Sequence, residues 1–190
     1  RADGHTMIAP GSIIGKTGNT GHSGGFHLHF FLMKDNGLTI VNPMQMLPEA
    51  LDENPPVIGQ ITIITPKGRT QVSHSRRENI RLTKAYPVLL NVVDPGLEKS
   101  TKRGIYRLKW KLNDGAEQSL LFSNLKFTDG DWKLEGRSSI FEVYNEDLYN
   151  LGVLPFISGA NTIRVTAEDL KGNSTTVVFE IHVDTVAVTI

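Results

Sequence analysis

Cysteine is absent from the 190 residues. Its absence excludes a disulfide framework and any thiolate chemistry, but it does not choose between a reducing cytosol and a bacterial envelope. Net charge is absent as well, with 20 Lys plus Arg against 20 Asp plus Glu. That balance argues for no nucleic acid and no anionic membrane surface as partner. No apolar run approaches the roughly 20 residues of a membrane-spanning helix. Helical patterning is scarce: only MQMLPEAL (44–51) and NEDLYNLG (145–152) have it, and both are short. The first residue is Arg1 and not Met, so the chain is expected to be a processed or truncated product. Its length fits one large domain or two small ones and is enough to bury a sizeable core.

Strand signals dominate what is present. FHLHFFLM (26–33), GQITIIT (59–65), PVLLNVV (87–93), IYRLKWKL (105–112), NTIRVTAE (161–168) and TTVVFEIHV (175–183) are rich in β-branched and aromatic residues. DNG (35–37), DPG (94–96), NDG (113–115), DGD (129–131) and KGN (171–173) punctuate them as turns. The pattern predicts an all-β protein. Pro55 and Pro56 stiffen LDENPPVIG, because proline fixes its own φ and carries no amide donor. The domains read as 1–50, a linker over 51–58, an immunoglobulin-like β-sandwich over 59–184, and a tail or extra strand over 185–190.

GKTGNTGHSGGFHLHF (15–30) packs five glycines and three histidines together. A phosphate-binding loop needs four residues between its glycines ahead of the lysine. Pro10 stands where the first glycine should be, and NTGHSGG cannot open the helix whose amides would hold a phosphate. A metal site fits better. Alternate residues of a strand share a face, so His27 and His29 point the same way, roughly 7 Å apart at their Cα atoms. Phe26, Leu28, Phe30 and Leu32 are expected on the opposite face, packed into a core. Neutral imidazole is a leading zinc ligand. Gly18, Gly21, Gly24 and Gly25 would let the chain turn sharply, at positive φ where needed, and approach a bound group closely. A plain hairpin loop without chemistry is the competing interpretation.

The run from Gly15 and Gly18 through Gly21, His27-Leu28-His29-Phe30, Asn36-Gly37 and Val41-Asn42-Pro43 resembles the C-terminal half of a lysostaphin-type (LytM-type) zinc peptidoglycan endopeptidase. The likeness covers about residues 8–48. It implies a partial antiparallel β-sheet peptidase domain, with Zn2+ as cofactor, His29 as a metal ligand and His27 as a catalytic histidine beside it. It places Asn19, His22 and Ser23 along the substrate cleft. It also implies a peptide of cell-wall peptidoglycan as substrate, the upstream half of the same protein as partner, and a bacterial periplasmic or secreted location. Zinc would supply Lewis acidity toward the peptide carbonyl, and the neighbouring imidazole a place for a proton.

This chain departs from the family in its other zinc ligands, which come from a His-x-x-x-Asp segment. Four residues after His5, His22, His27, His29 and His182 stand Ala9, Phe26, Phe31, Met33 and Val186. His74 meets Glu78, but in the basic run SHSRREN (73–79) of the second domain. A catalytic zinc site takes three protein ligands, and this chain offers one or two. Residues 1–48 are therefore expected to pack incompletely, because the strands bearing the missing ligands should neighbour FHLHFFLM.

Residues 159–183 resemble the last hairpin of bacterial immunoglobulin-like modules, and the segment from GIYRLKWKLNDG to LLFSNLKF resembles the β-domain attached to lysostaphin-type peptidases of Bacteroidetes envelopes. Trp110, set between Lys109 and Lys111, is expected in the core, and Trp132, in the polar turn DGDWK, nearer the surface. An enzyme is one interpretation of the whole. A catalytically inactive relative that binds cell wall or activates another hydrolase is the second, and an adhesin-like β-protein the third.

Overall fold

The structure, a computed structural model, describes residues 7–19, 24–26, 30–46, 53–95, 103–134 and 138–185. The chain divides into two units, 1–31 and 32–190. In the first, the described residues carry one turn at Pro10–Gly11 and no strand. Met7, Ile13 and Phe26 are each at least 80% exposed. The expected strand over FHLHFFLM starts only at Leu32 among the described residues. Phe26 and Phe30 are exposed and do not enter a core. A strand buries its apolar face only against a second layer, and none covers these two rings among the described residues.

The second unit is nearly all β. Its strands in chain order are β1 (Leu32–Lys34), β2 (Thr39–Val41), β3 (Val57–Thr65), β4 (Gly68–Val72), β5 (Glu78–Leu82), β6 (Tyr86–Val93), β7 (Arg107–Leu112), β8 (Gln118–Leu121), β9 (Asn124–Thr128), β10 (Asp131–Leu134) and β11 (Ser138–Ser139). One helical turn, α1 (Ile140–Val143), leads to β12 (Tyr144–Asn145), β13 (Leu148–Leu154), β14 (Gly159–Glu168) and β15 (Ser174–Thr185). NEDLYNLG is not helical. Glu146 and Asp147 turn the chain at φ 49° and 62°, and β13 follows at once.

Two five-stranded sheets face each other, ordered β12-β13-β6-β3-β4 and β5-β15-β14-β7-β8. Their inward faces follow from period-two patterning. Tyr86, Val88, Leu90 and Val92 of β6 alternate inward, as do Ile163, Val165 and Ala167 of β14. A single core cluster draws on both sheets. β3 pairs antiparallel with β6 in one sheet, while β5 crosses to the other and pairs parallel with β15. This early-strand switch, with β7, β14 and β15 as neighbours opposite β6 and β13, is the immunoglobulin-like arrangement. β3 begins at Val57, at the end of the proline-stiffened stretch. Between Ile58 and Ile61 its register with β6 shifts, which puts both isoleucines inside as a bulge does. Trp110 is 8% exposed, in the core as expected, and its Nε1 has no hydrogen-bond partner among the described residues.

The connection from β8 to β12 is expanded into a third sheet, ordered β1-β2-β9-β10-β11. Here Thr39, Ile40 and Val41 pair with Lys126, Leu125 and Asn124, so the chain ahead of the proline stretch shares a sheet with the chain after it. Trp132 is half-buried and tilted against Phe127 at 5.3 Å.

Candidate functional site

Of the residues that the resemblance singles out, His22, Ser23, His27 and His29 lie outside the described residues. Asn19 is described and exposed. Among the described residues no group of three His, Cys, Asp or Glu side chains is placed to hold a metal ion. Glu78 is taken by Arg76 at 2.6 Å, and His74 lays its ring edge-on to Phe179 at 5.8 Å. That pair is not a ligand set. Of the glycines in this segment, Gly21 lies outside the described residues. Gly18, Gly24 and Gly25 lack positive φ, and a Cβ on any of them would meet nothing within 4 Å. Left-handed backbone is needed later, where Asp35, Asn36 and Gly37 follow one another at φ 55°, 54° and 86°. Asx residues and glycine tolerate that region, and the three close the β1–β2 hairpin.

The Val41-Asn42-Pro43 element has a visible structural job. Asn42 Oδ1 accepts from the Met44 amide at 3.0 Å, capping the short turn Pro43–Gln45. Its Nδ2 donates to the Phe122 carbonyl at 3.0 Å, and its backbone amide donates to the Ser123 carbonyl at 2.9 Å. Gln45 Nε2 donates to the same Ser123 carbonyl. On the other side of β2, Thr39 Oγ1 donates to Asp35 Oδ2 at 2.7 Å, which satisfies the hydroxyl of a residue that is 2% exposed.

Next to Asn42 a cavity of about 520 Å3 opens within the second unit. The connections β6–β7, β8–β9 and β14–β15 meet there, contributing Asp94 and Arg103, Phe122, and Asp169 with Lys171. In immunoglobulin-like domains this is the end at which loops are free to bind. Tyr144 and Tyr149 form the remaining wall. Tyr149 is 3% exposed, 4.7 Å from Tyr144 and 5.4 Å from Phe122 in tilted and edge-on contacts, so its ring is fixed. Its hydroxyl accepts from the Ile105 amide at 3.3 Å. Sequence patterning did not single out this wall. Each ring sits in its own strand or turn, where it reads as core, and nothing local shows that five segments converge.

Burial pushes the Tyr149 hydroxyl up to about 12, with Tyr144, Asp147 and Asp94 adding to it against the Ile105 amide. Tyr144 is raised too, by burial and by donating to Asp147. For Tyr149 the folded state holds its proton above the free value of 10.0. Its contribution is therefore complete below about pH 10 and is lost as pH climbs toward about pH 12. Urea unfolding followed across that window should show stability falling, and Tyr149→Phe should flatten the fall. An unchanged slope in the variant would remove Tyr149 as the cause.

A search of curated proteins gives no match. Residues 55–184 match the model of an uncharacterised protein family, a span that takes in the sandwich and leaves out the glycine- and histidine-bearing segment. That span is more than half of the chain, and the chain belongs to this family.

Proposed function

We propose that the chain is the C-terminal part of a zinc-dependent endopeptidase that cuts peptide bonds in bacterial cell-wall peptidoglycan, working in the envelope. The reading rests on sequence order. Gly15, Gly18, His27-Leu28-His29-Phe30, a polar hairpin turn and Val41-Asn42-Pro43 follow one another in the lysostaphin-type order. One observation carries it furthest. The segment after the histidine pair forms a hairpin, β1 and β2, closed at Asp35–Gly37 and ended by the Asn42 cap, in keeping with the polar turn followed by Val-Asn-Pro on which the resemblance rests. In this reading His29 ligates zinc and His27 works beside it. The residues in hand do not complete a zinc site, since three protein ligands are needed and the described residues offer no further set. The reading places the rest in a His-x-x-x-Asp segment upstream of Arg1, and gives the sandwich the task of positioning the catalytic unit.

The ligand shortfall is also what a catalytically inactive relative would show, one that binds cell wall or activates another hydrolase. Zinc stoichiometry separates the two, measured on the protein with its upstream coding region restored and on its His29→Ala variant. About one zinc per chain, lost in the variant, is expected. No zinc in either form would sink the peptidase reading and leave the binding one.

A further inference from the structure

The cavity at the loop end of the sandwich is walled by rings and balanced in charge. Tyr106, Phe122, Tyr144 and Tyr149 line it, and Tyr149 holds Tyr144 at 4.7 Å and Phe122 at 5.4 Å. Rings fixed in this way offer flat apolar area at little entropic cost. Two carboxylates, Asp94 and Asp169, stand against two cations, Arg103 and Lys171, so the lining has no net sign. An ion entering it would meet both signs and would lose its own hydration. Hydrogen-bonding capacity of both kinds is left. The Tyr149 hydroxyl accepts from the Ile105 amide at 3.3 Å, its one hydrogen bond among the described residues, so its own proton remains to be given. The residue is 3% exposed, which leaves little water to take that proton. Asp169 accepts from the Asn173 amide at 2.9 Å and from Asn173 Nδ2 at 2.7 Å, about two of the roughly four bonds a carboxylate can accept. Asp94, Arg103 and Lys171 are engaged as well, and nothing beyond their balance of charge is asked of them. At about 520 Å3 the space falls within the range of small-ligand sites, which pair apolar walls with a few convergent polar groups.

We infer that this cavity binds an uncharged sugar, a mono- or disaccharide, its ring laid against Phe122 and Tyr144 and its hydroxyls met by the Tyr149 hydroxyl and the Asp169 carboxylate. A sugar ring has apolar C–H faces and an edge of hydroxyls, and each hydroxyl both donates and accepts. The faces suit the aromatic wall, and the edge suits a lining that offers one donor and one acceptor. A wholly apolar ligand would leave the Tyr149 proton without a partner at a nearly dry site, a loss that a hydroxyl avoids. The site is independent of the zinc reading, because none of its groups lies in the histidine segment.

The test is an NMR titration of the full chain. Methyl glucoside, cellobiose and N-acetylglucosamine are the neutral probes, glucuronate and the glucosamine cation the charged ones, and cyclohexanol the apolar one. Saturable shifts of the Ile105, Tyr149 and Asp169 amides with at least one neutral sugar are expected. The charged sugars and cyclohexanol should bind severalfold more weakly than that sugar. Tyr149→Phe keeps the ring and loses the hydroxyl, and should weaken binding about three- to tenfold, the worth of one net hydrogen bond. Tyr144→Leu removes a stacking ring and should weaken it severalfold. Unmoved amides at Ile63 and Ile181, both wholly buried in the core, show that each variant keeps the sandwich. No saturable shift from any neutral sugar would overturn the inference. So would a charged sugar or cyclohexanol binding as tightly as the best neutral sugar, or full affinity in both variants.

Discussion

Phe179→Ala should lower the unfolding free energy by about 3–5 kcal/mol, the loss typical of a large aromatic ring removed from a core. Phe179 is wholly buried. It pairs with Ile163 across β14 and β15 and belongs to the cluster that both sheets of the sandwich share. Its neighbours are held by two sheets of backbone hydrogen bonds, so they cannot collapse into the space, and the cavity term adds to the lost burial. The whole stability of a domain is typically about 5–15 kcal/mol, so this one change removes about a fifth of it or more. Phe179→Leu keeps most of the volume and should cost about 1.5 kcal/mol or less. Equilibrium urea unfolding of both variants measures this. Similar small losses in both would mean that the core is loosely packed at this layer.

Asn161→Ala should cost about 2–4 kcal/mol through polar groups and not through volume. Asn161 is 2% exposed, yet it sits among the inward positions of β14 beside Ile163 and Val165. Its Oδ1 accepts from Asn113 Nδ2 and from the Ile157 amide, each at 3.0 Å. Its Nδ2 donates to the carbonyls of Ile157 at 2.7 Å and Gly159 at 3.1 Å. The side chain thus ties the entry to β14 to the β7–β8 turn, where Asn113 Oδ1 in turn accepts from the Thr162 amide. Alanine would leave these partners unpaired at a largely dry site. Asn161→Asp keeps the acceptor and loses both donations while burying a charge, so it should be no milder than alanine. A mild aspartate variant would show that the donations to Ile157 and Gly159 matter little.

These two residues also mark the reach of sequence patterning. Phe179 lies in TTVVFEIHV, where β-branched density predicts a strand, and β15 forms there. β3, β6, β7 and β14 are equally plain, because one face is apolar at period two. β4 and β8 are short strands at sheet margins and β9 a short strand inside the third sheet, with polar residues as in GRTQV, and their apolar content is too thin to signal. β13 is hidden by its own irregularity. Its register with β6 shifts between Asn150 and Val153, so Tyr149, Leu151 and Leu154 are the buried residues. That spacing breaks strict alternation and imitates a helix face. Asn161 gives no local signal either, since its partners are set by the fold. The histidine pair invites a chemical reading from sequence but lies outside the described residues. The aromatic cavity gave no such signal, because its walls come from connections far apart in the chain.

The pairing of β2 with β9 bears on how the molecule comes to be folded. Asn42 and Phe122 are 80 positions apart, and closing so long a loop has to be offset by contacts formed early elsewhere. The sandwich can assemble from its own strands, whereas the Leu32–Val41 hairpin has little to hold it before β9 is in place, a lone hairpin being marginal in water. The hairpin is thus a late arrival. Once seated, it covers the backbone edge of β9, which would otherwise stand open as a template for another chain to pair with. The hairpin that follows the histidine segment in sequence thus also guards the third sheet against copies of the same chain.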